Sequence, residues 1–342
     1  MGTAIGELLV KEEITLEHLS GKTLGIDSHN IIYQFLSSIR GPDGSPLMDS
    51  NGNVTSHLTG LLYRTANILE KGIKPVFIFD GIPSELKKKT LAERHRIRTE
   101  AIKEHEKALQ EGRFEDAKKL GSRALKLTPE MINDAKELLG YMGLPVVAAK
   151  EEGEAQVAYM VAKGDIYGCA SQDYDSLLFG TPLLFRNIAV TGKRKIPGRN
   201  VFIDVSPEKI DLEKNMKALN ITREKLIWLG ILIGTDFNEK FPKIGPKTAL
   251  KLVQKCNSFE EIIKETGFQP EFDYKDVVEL FMNPNHLDDY KIEFKMPDKE
   301  KVKDFLCGKH DFSVERVSSA LDKLEKTLDE KGKQATLDKW FG

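Results

Sequence analysis

Cysteine is scarce in this sequence, and its few copies stand far apart. The 342 residues include only Cys169, Cys256 and Cys307. An odd number of cysteines without metal-ligand spacing excludes a disulfide-built secreted scaffold and a cysteine-based metal site. We therefore expect three inert thiols in a reducing compartment.

Long hydrophobic runs are missing as well. The longest, such as Val157–Val161 and Ile227–Ile233, fall far short of the roughly 18 residues that a membrane helix needs. The first residues lack the charged-then-apolar order of a signal peptide, and Gly6 stands where a myristoylation signal has Ser or Thr. We expect an intracellular protein, in the cytoplasm or nucleoid.

Several common nucleotide and metal motifs are also missing. The sequence contains no Walker A loop, no G-x-G-x-x-G fingerprint and no H-E-x-x-H pair. Simple ATPase, dehydrogenase and zinc-protease interpretations are therefore excluded. No internal repeat or low-complexity tract is visible, while 40% hydrophobic residues suffice for a sizeable core.

Charge is balanced overall but segregated along the chain. The 51 basic and 53 acidic residues leave a net charge of -2, which argues against a simple histone-like DNA binder. Residues 85–126 nevertheless hold 13 Lys/Arg against 8 Asp/Glu, and Arg186–Arg199 is basic without an acid. Local excesses of this kind indicate partners better than net charge does.

Strand and helix signals alternate in the first half of the chain. Thr23–Ile26 and Pro75–Phe79 are apolar runs typical of buried strands, and Pro145–Ala149 and Gly168–Ser171 are weaker examples. Helical periodicity lies between them, and the chain beyond Thr222 is helical throughout. This order predicts an α/β fold with a mostly parallel central sheet flanked by helices.

The same patterns predict the domain organisation. We expect a single domain over residues 1–330, with a charged helical insertion at residues 85–126 that stands away from the main body. A C-terminal helical region includes a helix-hairpin-helix at residues 222–266. Residues 331–342 form a flexible tail without a packing pattern.

Acidic residues follow each of the predicted strands. Because ligands bind beyond the carboxyl ends of parallel strands, acids from separate segments are expected to converge there. Each one alone could instead be the N-cap of the next helix. The candidates are Asp27, Asp80, Glu152, Glu154, Asp173, Asp175 and Asp236.

Such a group of carboxylates favours a metal site. Crowded anions repel each other, which raises their pKa values unless cations relieve the repulsion. Carboxylate oxygens select Mg²⁺ or Mn²⁺ over zinc. Two such ions suit the in-line attack of water on a phosphodiester.

Basic and aromatic residues fit a polyanionic substrate. Lys87 and Arg94 lie just after Asp80 in a lysine- and arginine-rich stretch, although a solvated helix face would show the same pattern. Tyr33 could stack on a base, or it could be a core aromatic. We also assign Arg40 to DNA binding.

A hairpin signal lies farther along, at Ile244–Ala249. Gly245 would let backbone N–H groups approach a phosphate at the start of the next helix. Lys243, Lys247, Lys251 and Lys255 recur every four residues, which predicts one helical face along a duplex backbone. A plain Gly-Pro helix start is the alternative.

The last residues form a separate pattern. Leu337, Trp340 and Phe341 are spaced i, i+3 and i+4, so one helical turn would place them on one side, with Gln334 at the rim. This spacing resembles the peptide by which replication enzymes bind a sliding clamp. Folding back onto the core is the alternative.

Taken together, these motifs resemble those of the flap endonucleases, the structure-specific 5′ nucleases of replication and repair. The similarity runs over nearly the whole chain. The matching stretches are Gly25-Ile26-Asp27 with Ile32-Tyr33-Gln34-Phe35, Phe77-Ile78-Phe79-Asp80-Gly81, Glu151-Glu152-Gly153-Glu154-Ala155, Ser171-Gln172-Asp173-Tyr174-Asp175 and Gly234-Thr235-Asp236-Phe237.

The resemblance implies a division of roles. One metal ion would be held by Asp27, Asp80, Glu152 and Glu154, and the other by Asp173, Asp175 and Asp236. Lys87 and Arg94 would contact the scissile phosphate, with residues 85–126 arching over the threaded strand. The resemblance further implies 5′-flap endonuclease and 5′–3′ exonuclease activity in Okazaki fragment processing and repair, a monomer, and a potassium ion at the helix-hairpin-helix.

The sequence departs from the family pattern at two points, and two alternative functions stay open. The segment Gly2-Thr3-Ala4-Ile5-Gly6 differs from the family pattern, and the chain ends at Gly342 without a long basic tail, as in the archaeal form. A non-catalytic junction binder associated with the clamp is one alternative. An RNA-specific nuclease is the other, which the helix-hairpin-helix disfavours.

Overall fold

A seven-stranded sheet forms the centre of the computed structural model. The structure describes residues 3–41, 45–113, 116, 120, 121, 126–189, 192–195 and 202–341, with backbone only at 109, 192–195, 202, 203 and 330–341. In the sheet the strands stand in the order β1-β9-β6-β5-β2-β3-β4. They are β1 (Glu12–Glu13), β2 (Thr23–Asp27), β3 (Lys74–Phe79), β4 (Val146–Ala148), β5 (Gly168–Ala170), β6 (Leu183–Arg186) and β9 (Glu208–Asp211).

Five neighbouring strands pair in parallel, and two further strands join one edge through antiparallel pairs. β2 pairs in parallel with both β3 and β5, β3 with β4, and β5 with β6. β9 is antiparallel to β6, and β1 to β9. A separate two-stranded sheet consists of β7 (Gly192–Lys195) and β8 (Phe202–Val205). The predicted mostly parallel sheet is therefore confirmed, and the antiparallel edge adds to it.

Helices cover both faces of the sheet. The described helices are α1 (Ser28–Ser38), α2 (Ser56–Glu70), α3 (Lys88–Gln110), α4 (Pro129–Tyr141), α5 (Gly153–Lys163), α6 (Asp175–Leu178), α7 (Leu212–Leu219), α8 (Arg223–Ile233), α9 (Pro246–Lys255), α10 (Phe259–Thr266), α11 (Tyr274–Met282), α12 (Lys299–Lys303) and α13 (Val314–Phe341). Short 3-10 turns cover Ala4–Glu7, Leu16–Leu19 and Glu85–Lys87, and a π turn covers Asp304–Gly308.

The alternation of side chains along β3 separates two hydrophobic cores. Val76 and Ile78 belong to one core, which also receives α5 and α8 to α11. Phe77 and Phe79 belong to the other, which also receives α1, α2, α4 and α13. Because successive strand residues point to opposite faces, one strand contributes to both layers.

Local sequence signals explain where several helices begin. The Thr128 hydroxyl accepts a hydrogen bond from Met131 N at 3.3 Å, and Pro129 follows it at the first helical position. The Ser258 hydroxyl accepts from Glu261 N at 3.3 Å and caps the start of α10. The all-helical course beyond Thr222 is confirmed as well.

Two predicted regions are described only in part. Within residues 85–126, the turn Glu85–Lys87 leads into α3, whose side chains are mostly exposed, and much of the rest lies outside the described residues. The α13 helix reaches Phe341, but the side chains of Gln334, Leu337, Trp340 and Phe341 lie outside the description. The arch and the tail therefore stay predictions.

None of the described helices is both long enough and apolar enough to span a membrane.

Candidate active site

The first two predicted acids come from neighbouring strands. Asp27 is the last residue of β2, where it pairs in register with Ile78 of β3, and Asp80 follows the end of β3. Asp27 Oδ1 accepts a hydrogen bond from Asn30 N at 3.1 Å, and its Oδ2 accepts from the Ser171 hydroxyl at 3.1 Å. Asp27 therefore caps α1, as the N-cap interpretation predicted, and it also touches the end of β5.

A glycine connects Asp80 to the next pair of acids. Gly153 N donates to Asp80 Oδ1 at 2.7 Å, and a Cβ on Gly153 would lie 2.8 Å from the same oxygen. Only glycine allows this close approach without a shift. Since Glu152 is the N-cap of α5 and Glu154 lies in its first turn, the bond places both glutamates beside Asp80.

The third group lies in the loop after β5. Asp173 N donates to the Ser171 hydroxyl at 3.1 Å, and Asp175 N donates to Asp173 Oδ1 at 3.3 Å. Asp175 Oδ1 accepts a hydrogen bond from Thr3 N at 2.8 Å and another from the Thr3 hydroxyl. The loop is thus held from within and from the amino-terminal segment.

Burial and mutual repulsion perturb these carboxyl groups. Burial, followed by repulsion from Asp80, raises the pKa of Asp27 to about 7. Burial, followed by repulsion from Asp173, raises the pKa of Asp175 to about 7 and that of Glu154 well above its ordinary value. The acids from separate segments therefore share one electrostatic site.

Asp236 belongs to the same field. It follows α8 after the Gly234 C-cap, and its charge contributes to the raised pKa values of Asp175 and Glu152. For Glu152, burial is the largest cause and Lys87 opposes it. Repulsion between pairs of neighbours thus links all seven predicted acids into one connected group.

A hard cation suits this arrangement of donors. Glu154 Oε1 is buried and has no hydrogen-bond partner among the described residues, and such a group is costly unless something satisfies it. Oxygen-only carboxylates that repel each other provide the ligands that Mg²⁺ prefers. Among the described residues, no three His, Cys, Asp or Glu side chains are placed, as they stand, to hold a metal ion.

Two basic residues from the start of the charged insertion reach the carboxylates. Lys87 Nζ lies 2.6 Å from Glu152 Oε2 and 3.9 Å from Asp236 Oδ2, and Arg94 forms an ion pair with Asp236. Burial alone would lower the pKa of Lys87, but the attraction of Glu152 and other acids raises it overall. The cations and the acids therefore face the same space.

Two further nucleic-acid candidates lie on α1 and just after it. Tyr33 is half-buried and packs against the core that contains α1 and α2, and Arg40 Nε donates to Ser37 O at 3.0 Å. Nothing in these contacts distinguishes a role for either residue in DNA binding, so both assignments stay predictions.

The lysine face of the hairpin differs from the prediction at its first residue. Lys243 precedes α9 and has φ of 62°, so it is not on the helix, and the predicted shared face is wrong for this residue. Lys255 Nζ lies 2.7 Å from Glu265 Oε1. Lys247 and Lys251 are exposed on α9, and Gly245 is its exposed N-cap.

Sequence reasoning missed three residues that hold the site together. Ser171 bonds Asp27 and Asp173, Gly153 bonds Asp80, and Thr3 bonds Asp175. Ser171 and Gly153 stand within two residues of predicted acids, so proximity could have indicated them. Thr3 is 172 positions from its partner and carries no such signal.

Comparisons with known proteins agree with this geometry. Two family models match, the XPG N-terminal domain over residues 4–101 and the XPG I-region over residues 143–236. Flap endonuclease 1 of Pyrococcus abyssi is 52% identical over 100% of this chain and 98% of its own length. Flap endonuclease 1 of Archaeoglobus fulgidus is 51% identical over the whole of both chains.

A solved structure extends the similarity to the fold. Flap endonuclease-1 from Methanococcus jannaschii superimposes with a TM-score of 0.78 at 37% identity. The match covers 96% of this chain and 100% of that one.

Proposed function

Since the chain belongs to the flap endonuclease 1 family, we propose that it cleaves 5′ flap DNA with two Mg²⁺ ions held by the carboxylates of its candidate active site. That membership makes the chain a structure-specific nuclease of 5′ flaps, active in DNA replication and repair. The metal identity, the number of ions and the residue roles are the proposed part. A non-catalytic junction binder is not favoured.

The observation that carries the metal assignment is the buried Glu154 oxygen without a partner among the described residues. A protein that only binds DNA would gain nothing from a buried carboxyl oxygen without a partner. It would also gain nothing from neighbouring carboxyl groups with raised pKa values. We assign Asp27, Asp80, Glu152 and Glu154 to one ion, and Asp173, Asp175 and Asp236 to the other. Bound Mg²⁺ would supply activation of water and stabilisation of the leaving oxygen.

Lys87 and Arg94 are assigned to the scissile phosphate. Both already have anionic partners in Glu152 and Asp236. A phosphate diester offers the same kind of oxygen partner, so these side chains can exchange a carboxylate for the substrate. Their positive charge then opposes the negative charge that develops on the transferring phosphate.

Duplex DNA is assigned to the helix-hairpin-helix. Lys247 and Lys251 project from α9 without a described ion pair, and Gly245 exposes the helix N-terminus, which favours a phosphate. Lys243 would contribute from the hairpin itself. A potassium ion at the helix-hairpin-helix is the further expectation.

The C-terminal tail is assigned to a sliding clamp, through Gln334, Leu337, Trp340 and Phe341. The support is their spacing alone, since the side chains lie outside the described residues. We propose a monomer that the clamp recruits to DNA.

The test of the catalytic proposal is cleavage of a labelled 5′-flap oligonucleotide duplex. Asp80→Asn and Asp173→Asn are expected to lose most of the single-turnover rate in Mg²⁺ while retaining DNA affinity, because these groups hold ions rather than substrate. Asp276→Asn, an exposed acid in the first turn of α11, is the matched control. Chelator should abolish cleavage by the parent protein.

Three outcomes would contradict the proposal. Cleavage that survives chelation would remove the metal role, and near-parent rates in both variants would remove the residue assignment. Binding of the flap without any cleavage in Mg²⁺ or Mn²⁺ would support the junction-binder alternative.

A further inference from the structure

The amino-terminal segment grips the loop that carries two of the predicted metal ligands. Thr3 is buried, with 2% of its surface exposed. Its backbone N lies 2.8 Å from Asp175 Oδ1, and its hydroxyl donates to the same oxygen. A side chain 172 positions away thus receives two donors from one residue.

Neighbouring residues fix the segment in place. Ile5 is fully buried in the core that contains α5 and α8, and Gly6 packs on the ring of Tyr174, where a Cβ would come within 2.5 Å. The Arg186 guanidinium lies 4.4 Å from the centre of the same ring. Thr3 is therefore held against Asp175 by rigid packing on both sides of the contact.

Both described hydrogen bonds to the Asp175 side chain end on Oδ1. Two donors on one oxygen fix the rotation of the carboxylate, and Oδ2 accepts none of the hydrogen bonds that the structure describes. Donors that orient a ligating carboxylate in this way are outer-shell partners, whose loss typically costs 10- to 100-fold in metal affinity.

We propose that Thr3 is a positioning residue for metal binding, whose hydroxyl orients the Asp175 carboxylate towards the ion. This inference rests on the proposed function of the carboxylate site. It gives a role to a segment whose sequence departs from the family pattern. The backbone N–H would remain in any variant, so the side-chain hydroxyl is the part under test.

The experiment measures Mn²⁺ binding to the DNA-free protein from the electron paramagnetic resonance signal of the unbound ion. Thr3→Val keeps the branched shape and removes the hydroxyl, so the dissociation constant for Mn²⁺ is expected to rise about 10-fold. Thr3→Ser keeps the hydroxyl and should restore affinity close to that of the parent. Single-turnover cleavage by Thr3→Val should recover at saturating Mn²⁺.

Thr65→Val is the matched control, because Thr65 is buried in α2 and its hydroxyl has no hydrogen-bond partner among the described residues. It should bind Mn²⁺ as the parent does. Parent-like Mn²⁺ affinity in Thr3→Val would overturn the inference, as would a Thr3→Ser variant as weak as Thr3→Val. Absence of Mn²⁺ binding by the parent protein would instead overturn the metal site itself, and the inference with it.

Discussion

At the scale of single residues, the molecule keeps a neutral histidine in its interior. His57 in α2 is 1% exposed, and neither ring nitrogen has a hydrogen-bond partner among the described residues. Burial lowers its pKa from an ordinary 6.5 to about 4. His310 lies nearby in the same core region, with Nδ1 3.3 Å from Asp49 Oδ2.

This histidine makes the fold sensitive to acid. Between about pH 6.5 and 4, His57 binds a proton in the unfolded chain but stays neutral in the folded chain. The effect of His57 on the free energy of unfolding is therefore absent above pH 6.5. As the pH drops from 6.5 to 4, His57 lowers the free energy of unfolding by at most about 1.4 kcal/mol per pH unit.

We expect His57→Leu to show a shallower loss of unfolding free energy between pH 6.5 and 4 than the parent protein. Urea unfolding at several pH values measures this difference. His18→Leu is the control, because His18 is exposed and should leave the slope unchanged. Parallel curves for the parent and His57→Leu would show that the histidine accepts its proton within the folded state.

At the scale of elements, two helical segments place positive charge in different surroundings. The turn Glu85–Lys87 and the start of α3 direct Lys87 and Arg94 at carboxylates of the candidate active site, whereas α9 exposes Lys247 and Lys251 to solvent. We expect a basic side chain among carboxylates to affect the rate of the chemical step. We expect an exposed lysine to affect the affinity for duplex DNA.

Lys87→Ala and Arg94→Ala are expected to slow single-turnover cleavage about 10²- to 10³-fold, the range for loss of one stabilising group in a transition state. Lys247→Ala and Lys251→Ala should leave that rate intact. They should weaken DNA binding and flatten its salt dependence by roughly one unit of log–log slope per lost contact.

Titration of DNA binding against salt concentration separates the two classes. Lys264→Ala is the control, since this exposed lysine lies on the neighbouring helix α10 and outside the predicted lysine face. If all four variants changed only affinity, the two helices would share one role, and the assignment of α3 to chemistry would fail.

Individual strands and helices also differ in how well sequence patterns predict them. Runs such as Pro75–Phe79 identified the parallel strands because burial on both faces leaves a continuous apolar stretch. The two-residue edge strand β1 and its neighbour β9 were missed, since short partly exposed strands carry little pattern. Lys243 was placed on a helix because spacing alone cannot show where a helix begins.

The acids of the site were predictable for a related reason. Asp27 and Asp80 follow recognisable strands, and a parallel sheet brings such ends to one edge. The Thr3–Asp175 contact was not predictable, because nothing local to either residue specifies a partner 172 positions away. Packing of the whole chain creates that contact.

At the scale of the whole molecule, the C-terminal tail is predicted to act apart from catalysis. Trp340→Ala combined with Phe341→Ala should weaken binding to the cognate sliding clamp at least about 30-fold, because large aromatic anchors typically contribute ~2 kcal/mol or more at an interface. Cleavage of a flap without the clamp should proceed at the parent rate.

Calorimetry with the clamp, run beside the cleavage assay, measures both effects. Lys339→Ala is the control within the same segment, since that position lies outside the Gln334, Leu337, Trp340 and Phe341 pattern. Unchanged clamp affinity in the double variant would refute the assignment, and equal loss of clamp-independent cleavage would indicate a tail that packs on the catalytic domain.

The order of the strands also governs when the enzyme can become active during its own synthesis. The central strand β2 lies between β3 and β5. Residues near position 25 can therefore complete their strand pairing only after residues near position 169 have been synthesised. Asp236 emerges later still. Contacts of such long range form only after much of the chain has left the ribosome. A nascent chain shorter than about two thirds of the protein therefore lacks one of the proposed metal ligands, and nucleic acids near the ribosome are spared until synthesis is well advanced.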